Sequence, residues 1–148
     1  MTILDSGTPR VNDVKNRDEF WTSGCKDALE KLKVAITDVV PRLERYGIQS
    51  SDEIPSEYTL ISLFSFHAFF SKEKDYDFGT VFKWFLNANL TGRYSGAGLQ
   101  LLTEDAGVFV KSTNPKEALQ GLAITNSDIG QALRSTIKKC GNSSTSSL

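Results

Sequence analysis

The sequence predicts an all-α fold, a single-domain helical bundle of about six helices with a long kinked first helix. Apolar residues recur at three- and four-residue spacing through most of the chain, whereas no segment alternates apolar and polar residues as a strand does. The chain has 148 residues, of which 39% are hydrophobic and 24% are charged. This size and composition are typical of one globular domain with its own core.

The predicted helical domain occupies residues 18–140. Residues 1–17 contain a Ser-Gly-Thr-Pro turn signal and few apolar positions, so they predict an extended lead-in. Residues 141–148 are rich in serine and threonine, which add nothing to a core, and they predict a disordered tail.

A long amphipathic helix is predicted to follow Asp18, whose side chain suits a helix N-cap. Pro41 lies inside this pattern and lacks the backbone N–H that a helix interior uses, so we expect a kink near Asp38. Gly47 is expected to end the helix in the left-handed conformation. The apolar positions of this helix are Trp21, Cys25, Ala28, Leu29, Leu32, Ile36, Val39, Val40, Leu43 and Tyr46.

The next segment predicts the central and most buried helix of the bundle. A polar connection over residues 48–54 leads to Pro55, which suits the first turn of a helix. Asp52 or Glu53 would then lie near the positive end of the helix dipole. Residues 58–70 are apolar nearly all round, as expected of a helix that is buried on every side. Residues 71–76 predict a charged turn.

The remaining helices are predicted from the residues that suit their ends. A helix with a broad apolar surface precedes a glycine-containing turn, a second covers residues 99–110, and two shorter ones follow. The predicted end signals are, in chain order, Asp77 and Gly92, Asn114 with Pro115 and Gly121, and Asn126 or Ser127 with Gly141.

Charge and cysteine content exclude several classes of protein. The net charge of −1 gives the chain no overall field that attracts DNA or an anionic membrane. Cys25 and Cys140 with a single histidine do not make up a four-ligand zinc site, so no metal and no cofactor are predicted. No apolar stretch reaches roughly 18 residues and no leader pattern is present, so we predict no membrane span and a cytoplasmic location.

The turn that contains Gly92, Gly96 and Gly98 admits two interpretations. A nucleotide-binding loop needs a preceding strand and, in the Walker type, a Gly-Lys-Ser/Thr sequence, and both are missing here. The favoured interpretation is therefore that these glycines shape a turn. In the alternative, the amides that open the next helix hold an anion with the help of Arg93.

The only histidine, His67, lies among phenylalanines in the central helix. We interpret it as a core or interface histidine with one hydrogen-bond partner. A Ser-His-Asp triad stays open, although no Gly-x-Ser-x-Gly elbow supports it. The adjacent carboxylates Glu104 and Asp105 point in different directions on a helix, so we interpret both as helix-end charge or solvated surface. No catalytic residue is predicted.

Several motifs occur in an order that resembles a known family. They are Tyr46-Gly47-Ile48, the sequence IPSEYTLISL at 54–63, the sequence VFKWFLNA at 81–88, and Gly92-Arg93-Tyr94-Ser95. Together they resemble the helical region of the GmrS-like family, which belongs to the GmrSD-type modification-dependent restriction systems of bacteria and archaea. The resemblance covers roughly residues 18–135, and the Arg-Tyr-Ser turn is its most specific part.

The resemblance implies a helical body without a catalytic domain. In that family the helical region follows a ParB-like nucleotide-binding domain with an Asp-Gly-Gln-Gln-Arg motif. This sequence contains neither that motif nor a histidine-rich HNH nuclease domain, so the family's catalytic residues have no counterpart here. Only Arg93, Tyr94 and Ser95 match the family pattern, and they are the candidates for contact with an anion or nucleic acid.

The resulting hypothesis is a non-catalytic helical module of a DNA-restriction or defence protein, acting in domain packing or protein–protein interaction. Its candidate partners are a nuclease or nucleotide-binding domain, DNA, or a second copy of the chain in a homodimer. One alternative is a nucleic-acid or phosphate-binding module that uses the Arg93 turn. A second alternative is a small ligand-binding or enzymatic bundle with a pocket among its helices.

Overall fold

The computed structural model describes residues 25–122 together with positions 129–131, 133–135 and 138. Residues 25–122 form five α-helices and one short 3₁₀ helix, and none of the described residues is in a strand, which confirms the predicted all-α bundle. The helices are α1 (Cys25–Arg45), the 3₁₀ helix (Ser51–Glu53), α2 (Glu57–Phe70), α3 (Phe78–Thr91), α4 (Gly98–Lys111) and α5 (Pro115–Gly121).

Some predicted features lie outside the described residues. These are the lead-in at 1–17, the start of the first helix at Asp18, the caps at Asn126 or Ser127, the end at Gly141 and the tail at 141–148. Positions 129–131, 133–135 and 138 are helical, in agreement with the last predicted helix.

Helix α1 runs through Pro41 without stopping and ends at Arg45, and Gly47 terminates it in the left-handed conformation, as predicted. Gly47 has a φ of +88°, its N–H donates to the carbonyl of Glu44 at 3.0 Å, and the N–H of Ile48 donates to the carbonyl of Leu43 at 3.0 Å. This pair of bonds is the Schellman arrangement, which satisfies carbonyls that the helix end leaves free. The kink near Asp38 stays a prediction.

The apolar residues of α1 fall on two faces rather than one. Ala28, Ala35, Val39 and Leu43 are buried, and α1 packs on α2. Several apolar positions of α1 lie beside this buried face and are exposed. These exposed positions are Leu29, Ile36, Val40 and Tyr46.

The start of α2 differs from the prediction. Residues 48–54 contain a 3₁₀ helix whose N-cap, Ser50, accepts a hydrogen bond from the N–H of Asp52. Helix α2 begins after Ser56, so Pro55 precedes the N-cap and does not lie in the first turn. Its first-turn carboxylate is Glu57, and not Asp52 or Glu53.

Helix α2 is the central helix, as predicted, because it packs against α1, α3 and α4. It buries Leu63, Phe66 and Phe70, yet it also buries polar side chains. Those polar residues are Thr59, Ser62, Ser65 and His67. A buried polar side chain is costly unless it is hydrogen-bonded, and His67 meets this condition through Tyr76 and Asp38.

An aromatic cluster forms the core between the helices. Phe66 lies 5.5 Å from Phe109 in an edge-to-face arrangement and 4.9 Å from Phe70, measured between ring centroids. Trp84 is buried, and its indole N–H donates to the backbone carbonyl of Leu122 at 3.3 Å. This bond ties the segment after α5 to α3.

The predicted ends of α3 and α5 are confirmed. Asp77 caps α3 by accepting hydrogen bonds from the N–H groups of Gly79 and Thr80. Gly92 closes α3 with a φ of +63°. Asn114 caps α5, with Pro115 in its first turn.

Candidate functional site

The turn between α3 and α4 is built around a buried carboxylate. The Arg93 guanidinium forms a two-point ion pair with Asp105, with Nη2 2.6 Å from Oδ1 and Nε 3.2 Å from Oδ2. The Tyr94 hydroxyl donates to the same Oδ2. The turn is thereby fastened to α4 from two consecutive residues.

The interpretation of Asp105 as solvated surface is wrong. Asp105 is 1% exposed, whereas its neighbour Glu104 lies on the outside of α4 and accepts a hydrogen bond from Gln100. The two residues differ because consecutive positions on a helix point about 100° apart, which turns Asp105 toward the Arg93 turn. For Glu104 the interpretation as solvated surface is confirmed.

Arg93, Tyr94 and Ser95, the predicted contacts for an anion or nucleic acid, do not share one surface. Arg93 is half-buried and held by Asp105, Tyr94 is buried, and Ser95 is exposed. Burial raises the pKa of the Tyr94 hydroxyl, and the Asp105 carboxylate raises it further, so this hydroxyl stays protonated and keeps donating. The Nε and Nη2 donors of Arg93 are already used within the fold.

His67 joins three parts of the chain. Its Nδ1 lies 2.7 Å from the Tyr76 hydroxyl, in the turn after α2, and its Nε2 lies 3.4 Å from Oδ2 of Asp38 on α1. The ring is 2% exposed. The interpretation as a buried histidine is confirmed, but it has two partners rather than one.

The surroundings of His67 fix its protonation and tautomer. Burial lowers the pKa of the imidazole, and the hydrogen bond and charge of Asp38 offset this only in part. Burial also raises the pKa of Tyr76 to about 12. The neutral ring therefore donates from Nε2 to the Asp38 carboxylate and accepts at Nδ1 from Tyr76, an assignment that follows from the hydrogen-bond network.

A Ser-His-Asp triad is not formed here. His67 has its aspartate, but the nitrogen on the other side of the ring meets a tyrosine instead of a serine. Asp38 and Tyr76 are 29 and 9 residues away from His67, so no helical spacing links them in the sequence. In the sequence, the one feature that pointed to these contacts of His67 was the aromatic residue Tyr76 in an otherwise charged turn.

His67 lies at the floor of a groove of about 1100 Å³, which we call the polar groove. One wall is α1, and the other is the turn after α2 with the start of α3. The lining includes Asp38, Arg42, Arg45, Tyr46, His67, Ser71, Lys72, Tyr76, Asp77 and Phe78. Three of these side chains are cationic and two are carboxylates, so the groove carries one excess positive charge when His67 is neutral.

A second groove, of about 260 Å³, lies on another side of α1. It is bounded by α1, the loop that contains the 3₁₀ helix, and α2. Its apolar lining residues are Val40, Leu43, Ile48, Ile54, Leu60 and Phe64. We call this groove, together with the exposed Leu29 and Ile36 of α1, the apolar surface.

These features define an all-helical bundle that carries the polar groove and the apolar surface. Across residues 25–122 and the few described beyond them, no three His, Cys, Asp or Glu side chains come together in a way that could hold a metal ion. In the same part of the chain, no helix combines the length and the apolar character that crossing a bilayer requires. Comparisons of the chain with protein families, with curated proteins and with solved structures found no match.

Proposed function

We propose that the chain is a non-catalytic helical module of a DNA-restriction or defence protein, and that it packs through its apolar surface against a partner domain. The observation that supports this proposal most directly is the apolar surface itself. The restriction context is supported by the resemblance of residues 54–63, 81–88 and 92–95 to the GmrS-like helical region.

The apolar residues of α1 form a stripe that suits a second helix. Leu29, Ile36 and Val40 are spaced by seven and four residues and are 47%, 41% and 36% exposed. This spacing places them on one side of α1 over about 16 Å. Val40 also lines the groove that Leu60 and Phe64 border, so stripe and groove are continuous. An amphipathic helix with anchors three, four and seven residues apart fits such a surface.

The chemistry of the buried polar groups supports a non-catalytic role. A general base has to lie within hydrogen-bond reach of the proton that it removes from a substrate. The His67 ring is 2% exposed, and its acceptor nitrogen faces the Tyr76 hydroxyl, whose pKa burial raises to about 12, so this hydroxyl is a poor nucleophile. Asp105 is 1% exposed and is bonded to Arg93 and Tyr94.

The proposed occupant of the apolar surface is an amphipathic helix of a nuclease or nucleotide-binding domain from such a restriction system. The test is a binding titration of the full chain against that domain. Ile36→Glu is expected to abolish binding because it puts a charge into an apolar contact. Val110→Glu is the control, since Val110 is a β-branched apolar residue on α4 that is 55% exposed, against 41% for Ile36, and lies outside the apolar surface.

Three outcomes would contradict the proposal. If Ile36→Glu lowers the free energy of unfolding of the full chain by about 2 kcal/mol or more, the chain itself covers this surface. If Ile36→Glu instead dissolves a dimer seen by sedimentation, the occupant is a second copy. Robust nucleotide hydrolysis or DNA cleavage by the isolated chain would refute the non-catalytic role.

A further inference from the structure

We propose that the polar groove binds a nucleotide unit, with the phosphate held by Arg42, Arg45 and Lys72 and the base stacked on Tyr46. This site is separate from the apolar surface and from the Arg93 turn, and it goes beyond the proposed packing role. The groove is lined both by cationic side chains that can bind an anionic group and by an aromatic side chain that can stack on a flat ring.

The three cations of the groove are available to a ligand. Among the described residues, none of Arg42, Arg45 and Lys72 has a carboxylate oxygen within 4.0 Å. All three side chains are exposed. They form a local group of positive charge on a chain whose net charge is −1. Arginine and lysine in a groove are the usual partners of phosphate groups, and arginine offers the planar donor fork that phosphate oxygens match.

The two carboxylates of the groove are held by other groups and form no ion pair with these cations. Asp38 accepts from the His67 ring. Asp77 is occupied as the cap of α3, where it accepts from the N–H groups of Gly79 and Thr80 and from the Thr80 hydroxyl at 2.6 Å. The start of α3 is therefore already capped, and the anion is assigned to the side chains rather than to helix amides.

Tyr46 supplies a platform for an aromatic ring. It stacks on Phe82 with 4.0 Å between ring centroids and 21° between ring planes, yet it is 56% exposed. Stacking on Phe82 and Phe78 restrains the ring, so less freedom is lost when a base packs on it. Bases stack on such exposed aromatic side chains in proteins that bind single strands and nucleotides, whatever the base.

Arg42 connects the two halves of the site. Its guanidinium carbon lies 4.9 Å from the centroid of the Phe78 ring, which stacks on Tyr46, and Arg42 lines the groove together with His67 and Tyr76. The groove volume of about 1100 Å³ is ample for one nucleotide, since small-molecule sites usually measure about 300–1000 Å³.

The test is isothermal titration of the full chain with three probes: AMP, a short oligothymidylate and inorganic phosphate. AMP or the oligonucleotide should bind, with affinity that falls as salt is raised. Arg45→Gln/Lys72→Gln should weaken this binding about tenfold or more. Tyr46→Leu should weaken it by about fivefold or more while leaving any binding of inorganic phosphate unchanged. Lys33→Gln, an exposed lysine of α1 outside the groove, should have no effect.

The outcomes distinguish a free nucleotide from a single-stranded nucleic acid as the ligand, and they include results that refute the site. Saturation by AMP with both variants impaired indicates a free nucleotide, and binding of the oligonucleotide alone indicates a single strand; both support the site. If neither AMP nor the oligothymidylate binds, the proposed site is refuted. Binding that both groove variants leave unchanged also refutes it, as does binding of phosphate that equals binding of AMP. Thermal unfolding of each variant checks that the bundle is intact.

Discussion

Asp105 illustrates how one buried carboxylate can fasten a turn. Its two oxygens take the Arg93 guanidinium and the Tyr94 hydroxyl, and none of the three groups is fully exposed. Burial of such a pair costs desolvation, so its net contribution to stability is modest, but removal of one partner leaves the other charge unpaired. We therefore expect the stability of the chain to be sensitive to substitution of Asp105 and insensitive to substitution of its neighbour Glu104.

Asp105→Asn is expected to lower the free energy of unfolding by about 3 kcal/mol, because Arg93 would keep its charge without a counter-charge. Glu104→Gln changes the same chemical group one residue away and should stay within about 0.5 kcal/mol of the wild type. Urea unfolding followed by circular dichroism measures both. Equal effects of the two substitutions would mean that the ion pair is not what holds the turn.

His67 makes stability depend on pH in a defined window. Its pKa in the folded chain is lowered from 6.5 because the ring is buried. Above about pH 6.5 the ring is neutral in both states and its contribution is fully present. As the pH falls through 6.5 toward the folded pKa, the unfolded chain takes up a proton that the folded chain resists, so stability is lost.

His67 is the only histidine, so the prediction can be checked cleanly. Between about pH 7.5 and pH 5, the free energy of unfolding of the wild type should fall more steeply than that of His67→Gln. Hydrogen bonds from Thr80 and Thr113 lower the pKa values of Asp77 and Glu117, so their contributions are lost only in more acidic solution. Identical slopes for wild type and variant would contradict the assignment, and an NMR titration of the ring reads its pKa directly.

At the scale of helices, α2 and α4 approach closely at a glycine. A Cβ atom added to Gly98 would lie 2.6 Å from Cδ2 of Tyr58, closer than packed atoms allow. Gly107 lies on the same helix with nothing within 4 Å of its added Cβ. The two glycines thus separate the effect of packing from the effect of helix propensity.

Gly98→Ala is expected to destabilise the chain by about 1–3 kcal/mol, because Tyr58 or the helix must shift. Gly107→Ala should stabilise it by about 0.5–1 kcal/mol, because alanine favours a helix and loses less backbone freedom on folding. Thermal unfolding of the two variants gives the comparison. A stabilising Gly98→Ala would show that the close approach of the two helices is easily relaxed.

Helix ends were predictable because their signals are local. Asp77, Asn114, Gly47 and Gly92 each act within four residues of their own position, so the sequence states them directly. The short 3₁₀ helix and the true start of α2 were missed, since Ser50 and Ser56 are weaker signals than the proline between them.

Contacts between distant residues were not predictable in this way. Asp105 was taken for surface because its partner Arg93 is 12 residues away across a turn, and the polar groove brings α1 next to a turn far along the chain. Helical periodicity states which face is apolar but not which helix covers it. The exposure of Leu29, Ile36 and Val40 therefore could not be predicted from the sequence and is seen only in the structure.

On the scale of the whole molecule, the core depends on a few aromatic rings that several helices share. Phe66 contacts Phe70 in its own helix, Tyr76 in the following turn and Phe109 on α4. Its loss would open a cavity where three segments meet. Leu86 on α3 is also a large apolar residue, but its side chain is exposed, whereas that of Phe66 is buried.

Phe66→Ala is expected to lower the free energy of unfolding by about 3–5 kcal/mol, a large share of the roughly 5–15 kcal/mol that holds a domain together. Leu86→Ala should change it by about 0.5 kcal/mol or less. Denaturant unfolding of both variants measures the difference. A small effect of Phe66→Ala would place the core elsewhere.

The bond between Trp84 and Leu122 gives the molecule an optical probe of its own. An indole that is buried and hydrogen-bonded to a carbonyl emits at shorter wavelength than one in water, so Trp84 fluorescence reports whether the segment after α5 is docked. The second tryptophan, Trp21, can be replaced by phenylalanine to leave a single emitter. A red shift that precedes the loss of helical circular dichroism would then reveal that this end of the bundle detaches before the rest unfolds.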